Sequence, residues 1–232
     1  MGTGKIQRIK PRKALEIYFV LATCWSMGLL LLYLFPKHYI EIEGKKHVIF
    51  CGLQLSINTF TGNRFWDSFF GILTYLGDGW FALFATCTCL IVAWRLGIIL
   101  TLVTLAATFT THVLKNFVFP MHHRPLFIFN HYDIHNFAII PNSDLHIHNS
   151  FPSGHSTQAF AIFICLALHV QNNFFRWCLV GSACMVGFSR IYLGQHWTQD
   201  VIAGSCIGTF YACIGHLMSD KFQNHRFLNS KV

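Results

Sequence analysis

The sequence predicts an all-α, polytopic membrane protein: about six transmembrane helices in one bundle. Three observations carry that reading. Of 232 residues, 53% are hydrophobic and only 11% charged, where soluble domains run nearer a quarter charged. Long apolar runs recur along the whole chain, with no linker, repeat or low-complexity tract between them. The basic residues gather at the ends of those runs, where lipid headgroups lie. The formal net charge is +8, but no basic stripe is present, which argues against nucleic acid as a partner.

Residues 1–13 hold Lys5, Arg8, Lys10, Arg12 and Lys13 and no acid. Residues 14–35 then form a run long enough to span a bilayer at about 1.5 Å per residue, closed by Pro36. It is too long for a signal-peptide core and lacks a small-residue cleavage site, so it reads as retained. The N-terminus lacks the Ser or Thr of a myristoylation signal. Residues 37–63 are polar and read as a first outer loop. Residues 64–76 are amphipathic, with Phe65, Phe69, Ile72, Leu73 and Leu76 at helical spacing, as in an interfacial helix. Gly77-Asp78-Gly79 interrupts that pattern.

Residues 80–94 form a second span that ends at Arg95. Residues 96–118 form the third, with His112 and Lys115 in its last turns. A long loop, 119–154, follows. Residues 155–170 form the fourth span and 177–188 the fifth. Residues 189–197 are expected to be the next loop, and 198–217 the sixth span. The domain reading is a basic cytoplasmic N-terminus (1–13), one membrane domain (14–218) and a cytoplasmic tail (219–232) with Lys221, Arg226 and Lys231. Six spans put both termini on one side. The basic N-terminus, Arg95, Arg176 and the tail mark that side as cytoplasmic, so the long loop and residues 189–197 face outside. Eight cysteines (Cys24, Cys87, Cys89, Cys165, Cys178, Cys184, Cys206 and Cys213) lie in apolar runs and read as small core residues. Cys51 stands alone in a polar segment, and no disulfide framework follows.

Three outer segments carry chemistry. The first runs from Lys115 to Arg124-Pro125, the second is Phe151-Pro152-Ser153-Gly154-His155-Ser156, and the third runs from Ser189-Arg190 to His196 and Asp200. Each lies at the outer end of a span, so all three can meet at one depth. Lys115, Arg124 and Arg190 suit a phosphate group, the arginines through forked donors. Pro152-Ser153-Gly154-His155 opens a helix whose free N–H groups and dipole favour an anion. If the last helix has begun by His196, that residue and Asp200 share one face. A carboxylate behind an imidazole fixes its tautomer. His196 is then a candidate nucleophile and His155 a proton donor to the leaving group. No carboxylate cluster is present for magnesium, so the cations must supply the electrostatic stabilisation, and neither metal nor cofactor is expected.

Taken singly, each residue has a plainer reading. Lys115 can be a snorkelling lysine, Arg190 an interfacial anchor, His155 a helix-start residue and Ser153 its cap. His196 and Asp200 can be a packed polar pair between helices.

In their order and composition the three segments resemble the signature of the type 2 phosphatidic acid phosphatase superfamily, which also includes vanadium haloperoxidases. That signature is a lysine before Arg-Pro, then Pro-Ser-Gly-His, then Ser-Arg, five residues, His, three residues and Asp. The last two parts match in full. In the first, eight residues separate Lys115 from Arg124 where six is usual, so Lys115 is expected to act from a displaced helix end. The resemblance covers about residues 60–218. It implies a metal-independent bacterial lipid phosphatase of the cytoplasmic (inner) membrane, with its active site facing the periplasm or outside. His196 would form a phosphohistidine, Asp200 would orient it, and His155 would protonate the leaving oxygen. Lys115, Arg124, Ser153, Gly154 and Arg190 would cradle the phosphoryl oxygens.

The implied substrates are undecaprenyl pyrophosphate, phosphatidate, phosphatidylglycerol phosphate or lipid A phosphates. A lipid phosphotransferase using the same intermediate is one alternative. A non-enzymatic lipid-binding or transport protein is another. The long loop adds His122, His123, His131, His135, His146 and His148. They read as a solvated loop that gains charge as pH falls through about 6.5, with a zinc site as the alternative. Phe117, Phe119, Phe127, Phe129 and Phe151 flank the site as packing, lipid-facing or chain-guiding residues.

Overall fold

The computed structural model describes residues 11–34, 38–42, 45–49, 51–131 and 148–224. Nine α-helices are seen among them: α1 (Pro11–Leu34), α2 (Cys51–Asn58), α3 (Arg64–Leu73), α4 (Gly79–Val92), α5 (Trp94–Val113), α6 (Pro125–His131), α7 (Gly154–Ala167), α8 (Asn173–Tyr192) and α9 (Thr198–Asn224). The fold is all-α as predicted, and the correction concerns the first outer loop. Residues expected to be plain outer loop include an antiparallel hairpin, β1 (His38–Ile42) with β2 (Lys45–Ile49), in which Ile40 faces His47. Tyr39, Ile40, Ile42, Val48 and Ile49 supply the β-branched and aromatic residues that suit a ladder.

The centre of the bundle is α7. Ser156, Thr157 and Ala159 through Cys165 are all buried, because α5, α8 and α9 pack around them. The closest approach is between α7 and α9. A Cβ on Gly204 would stand 2.5 Å from the Ser153 carbonyl oxygen, and one on Gly208 would overlap the Thr157 carbonyl. Ala212, fully buried, continues that row at the same four-residue spacing. Small residues on one face let two backbones meet where lipid offers no hydrophobic drive to assemble helices.

Among the described residues two helical segments are long and apolar enough to cross a membrane, Trp94–Val118 and Thr198–Ser219. The pair Arg64–Gly77 and Gly79–Val92, bent by 55°, forms a third when taken as one span. Asp78 explains the bend. Its backbone is extended (φ −81°, ψ 158°) and its carboxylate caps α4 by accepting the Gly79 N–H. Gly77 is required there because a Cβ would lie 2.6 Å from the His155 carbonyl. The amphipathic segment is therefore a true helix, and it also continues into the second apolar run. Ile91, Phe109, Phe19 and Phe174 point outward, an apolar surface suited to lipid.

Several sequence expectations shift. Residues Ser189–Tyr192 belong to the last turn of α8 and not to a loop, since the helical pattern of Ala183, Val186 and Ile191 continues into the core. Arg176 is almost fully buried and donates to Asn173 Oδ1 and to the Val170 and Gln171 carbonyls, so it clasps the α7–α8 turn. Arg95 is likewise buried, beside Trp94. Of the eight apolar-run cysteines, only Cys165 is buried, while Cys24, Cys87 and Cys178 are exposed. Outward faces of membrane helices accept such residues as readily as cores do. Cys51's side chain, residues 1–10 and the basic tail beyond Asn224 lie outside the described residues.

Candidate active site

The site forms where the ends of α8 and α9 meet the start of α7. Gly194, at φ +67°, reverses the chain after α8, a conformation that costs glycine little. The Gln195 and His196 N–H groups both return to the Arg190 carbonyl, at 3.1 and 3.2 Å. This folds His196 back against the bundle, 1% exposed. The last helix starts at Thr198, so His196 precedes it. The expected pairing nevertheless holds by a different route: His196 Nδ1 lies 3.5 Å from Asp200 Oδ2. The same carboxylate oxygen accepts the Trp197 N–H at 3.0 Å, which places an acid in the first turn of α9, where the helix dipole favours it. Asp200 Oδ2 also accepts the Ser150 hydroxyl. Ser150 Oγ is itself 3.4 Å from His196 Nδ1.

Three cations converge on this pair. Arg124, just before the proline that opens α6, donates through Nη1 to Gln195 Oε1 at 3.0 Å and through Nε to the His148 carbonyl at 3.4 Å. Arg190 Nη1 donates to Thr74 Oγ1 at 2.7 Å. Lys115 Nζ donates to the Asn149 carbonyl at 3.0 Å. Each of these bonds goes to a neutral oxygen. Burial first, and then the positive charges of Arg124, Arg190 and Lys115, hold His196 protonation well below the ordinary imidazole value. The residue is therefore a neutral imidazole near pH 7.

Lys115 reaches the site from a π-helical turn, Leu114–Val118. A π-turn absorbs extra residues within a helix and re-aims the side chains after it.

At the start of α7, Ser153 Oγ caps the helix, accepting from the Ser156 N–H and hydroxyl, while the Ser153 N–H donates to the Asp200 carbonyl at 3.0 Å. Ser153 is thus a cap that also ties α7 to α9. Space is open around Gly154, with nothing within 4 Å of a Cβ built there. First-turn N–H groups of a helix have no carbonyl partner within it. Beyond Gly154 a cavity of about 230 Å³ is lined by Lys115, Gly154 and His155, together with Asp78, Thr111 and Gln158.

Ser150, Gln195, Thr74 and Asn149 escaped sequence reading. Each acts only by touching a residue distant in the chain, so no local spacing marks it. The histidine-rich loop divides. His122 is half-buried, and burial pushes its protonation down, against the expected gain of charge in acid. His123 stacks on Phe127 at 5.2 Å and faces His148 at 4.8 Å. The side chain of His131, and His135 and His146, fall outside the described residues. Among the described residues no group of three or more His, Cys, Asp or Glu is placed to hold a metal. Phe129 is buried against Trp197, whereas Phe117 is largely exposed.

Lipid A 1-phosphatase of Rhizobium johnstonii is 34% identical over 83 residues, 36% of this chain and 33% of the relative. Undecaprenyl-diphosphatase BcrC of Bacillus subtilis is 37% identical over 71 residues, 31% of this chain and 36% of the relative. The matched stretches thus span about a third of these relatives' lengths. The crystal structure of Aquifex aeolicus LpxE aligns with a TM-score of 0.58 and 27% identity, over 70% of this chain and 92% of that one. A transmembrane PAP2 type phosphatidylglycerolphosphate phosphatase from Bacillus subtilis shares the fold, at a TM-score of 0.60 and 20% identity over 89% and 98% of the two chains. The family model of the PAP2 superfamily matches residues 96–224, more than half of the chain and all three site segments. The chain belongs to the PAP2 superfamily.

Proposed function

We propose that this protein is a metal-independent phosphatase of a membrane lipid phosphate, working through a phosphohistidine. The observation that carries the reading is the convergence of Lys115, Arg124 and Arg190 on a buried His196 backed by Asp200. Three cations at one place stabilise the charge that develops on a transferring phosphoryl group. With Nδ1 directed at Asp200, the His196 Nε2 lone pair attacks phosphorus. The bond from phosphorus to the leaving oxygen breaks, and His155 gives that oxygen the proton that the phosphate monoanion brought into the site and passed to it. Neutral His155 then takes a proton from water as the water oxygen attacks phosphorus. The phosphorus–nitrogen bond breaks, the departing inorganic phosphate takes up the proton from His155, and both histidines return to their neutral starting states.

The Gly154 and His155 N–H groups supplement the cations at the α7 start, and Ser153 holds that start in place. The names of the relatives, lipid A 1-phosphatase and undecaprenyl-diphosphatase, support a lipid phosphate as substrate. In this reading α1, the bent α3–α4 pair, α5, α7, α8 and α9 are six crossings of a bacterial cytoplasmic membrane. The basic N-terminus and tail stay inside, and the site opens outward. Substrate enters from the outer leaflet, phosphate toward the cations.

The test is inorganic phosphate release from a panel of purified lipid phosphates, in detergent with EDTA, by wild type and His196→Ala. Release by wild type alone supports the proposal. Release that depends on a second lipid identifies a phosphotransferase, and absence of both identifies a lipid-binding or transport protein.

A further inference from the structure

The cavity that opens from the phosphate cradle, at Lys115 and Gly154, is lined by His155 but not by His196. In an in-line displacement the nucleophile and the leaving group stand on opposite sides of phosphorus. Resting on the phosphatase reading above, the side that presents the proton donor is therefore the leaving-group side. Much of that side is apolar, and a few polar groups are set into it. Asp78 presents a carboxylate at the cavity, held there as the cap of α4. The Thr111 hydroxyl is buried, with no hydrogen-bond partner, and Gln158 Oε1 is in the same condition. Buried polar atoms of this kind cost free energy unless a ligand or water completes them.

We infer that this cavity is a subsite for a leaving group bearing free hydroxyls next to the phosphoester, a glycerol or sugar headgroup, and that Asp78, Thr111 and Gln158 select for it. Two features decide against the other leaving groups. With Lys115, which also lines the cavity, engaged by the transferring phosphoryl group, the second phosphate of a diphosphate would meet the Asp78 carboxylate, where like charges repel. A diacylglycerol has no hydroxyl donor for Asp78 or Gln158 Oε1, so those acceptors would stay unmet. A site built to bond a hydroxyl discriminates strongly against the analogue that lacks it, because its polar groups are then left unpaired.

The test uses a matched pair: phosphatidylglycerol phosphate and its analogue in which the central headgroup hydroxyl is replaced by hydrogen, with an isoprenyl diphosphate as third substrate. Wild type should show kcat/KM about tenfold higher for the hydroxylated member, in line with one good hydrogen bond, and lower still for the diphosphate. Thr111→Val removes the hydroxyl at nearly constant volume, and Asp78→Asn keeps the helix cap while removing the charge. Each should bring the matched-pair ratio toward one, and Asp78→Asn should also raise the diphosphate rate relative to both. The ratio is taken within one preparation, so partial misfolding cancels. A wild-type ratio near one, or a ratio that neither variant changes, overturns the subsite while leaving the phosphatase reading intact. No phosphate from any of the three substrates overturns both.

Discussion

Ser150 Oγ donates to Asp200 Oδ2, the same carboxylate oxygen that lies 3.5 Å from His196 Nδ1. Ser150 is fully buried, and its N–H is tied to the His122 carbonyl at 2.9 Å. The hydroxyl therefore sets the position of the carboxylate beside His196, the proposed nucleophile. Ser150→Ala should lower kcat by about tenfold to a hundredfold, the range for a buried carboxylate that loses a donor, with KM little changed. Steady-state kinetics on one lipid phosphate measures the split. A rise in KM alone would show that Ser150 supports substrate binding and not the Asp200–His196 pair.

His196→Ala should reduce turnover by at least about a thousandfold, as expected when a nucleophile is removed. Its elution as a folded species on size exclusion should match wild type. Substantial turnover by that variant removes His196 from the nucleophile position.

The loss in His155→Ala should depend on the leaving group. A lipid phosphate needs its oxygen protonated as it departs, whereas an activated aryl phosphate does not. The variant should lose at least about tenfold more activity on the lipid than on the aryl ester. Equal losses on the two would exclude the general-acid role.

His196 should stay neutral as pH falls through about 6.5, because burial and then the three cations oppose its protonation. The unfolded chain takes up that proton near 6.5 and the folded one does not. This residue therefore lowers stability as pH falls below that value and has no effect well above it. Ring-nitrogen NMR of selectively labelled protein reads the midpoint directly. Arg124→Gln removes one opposing charge and should move the midpoint upward.

Gly208→Ala should destabilise the bundle by about 1–3 kcal/mol, the usual cost of overpacking, because its Cβ would meet the Thr157 carbonyl. Gly71→Ala, whose Cβ meets nothing within 4 Å, is the matched control. Thermal unfolding in detergent compares them, and equal melting temperatures would show that α7 and α9 can separate without penalty.

Most of the apolar helices were legible because membrane crossing imposes long uninterrupted hydrophobic runs, a signal that survives any tertiary arrangement. Helix ends were less legible. The last turn of α8 reads as loop since Ser189 and Arg190 are polar. Their burial becomes intelligible only once Thr74 is seen against Arg190. The β1–β2 hairpin was missed because a short strand pair in a polar segment has no long period to detect.

The candidate site divides along the same line. Lys115, Arg124, His155, Arg190, His196 and Asp200 were readable in order, because phosphate chemistry demands particular charges and an imidazole, and residue identity carries those. Their arrangement was not readable. Ser150 behind Asp200, Gln195 on Arg124, Asn149 on Lys115 and the cavity beside His155 all join residues far apart in the chain. Such contacts depend on how helices pack, and α7 can reach α9 so closely only because Gly204 and Gly208 carry no side chain. Chemistry is written in residue types along the chain, whereas position and selectivity come from packing, which no local pattern records.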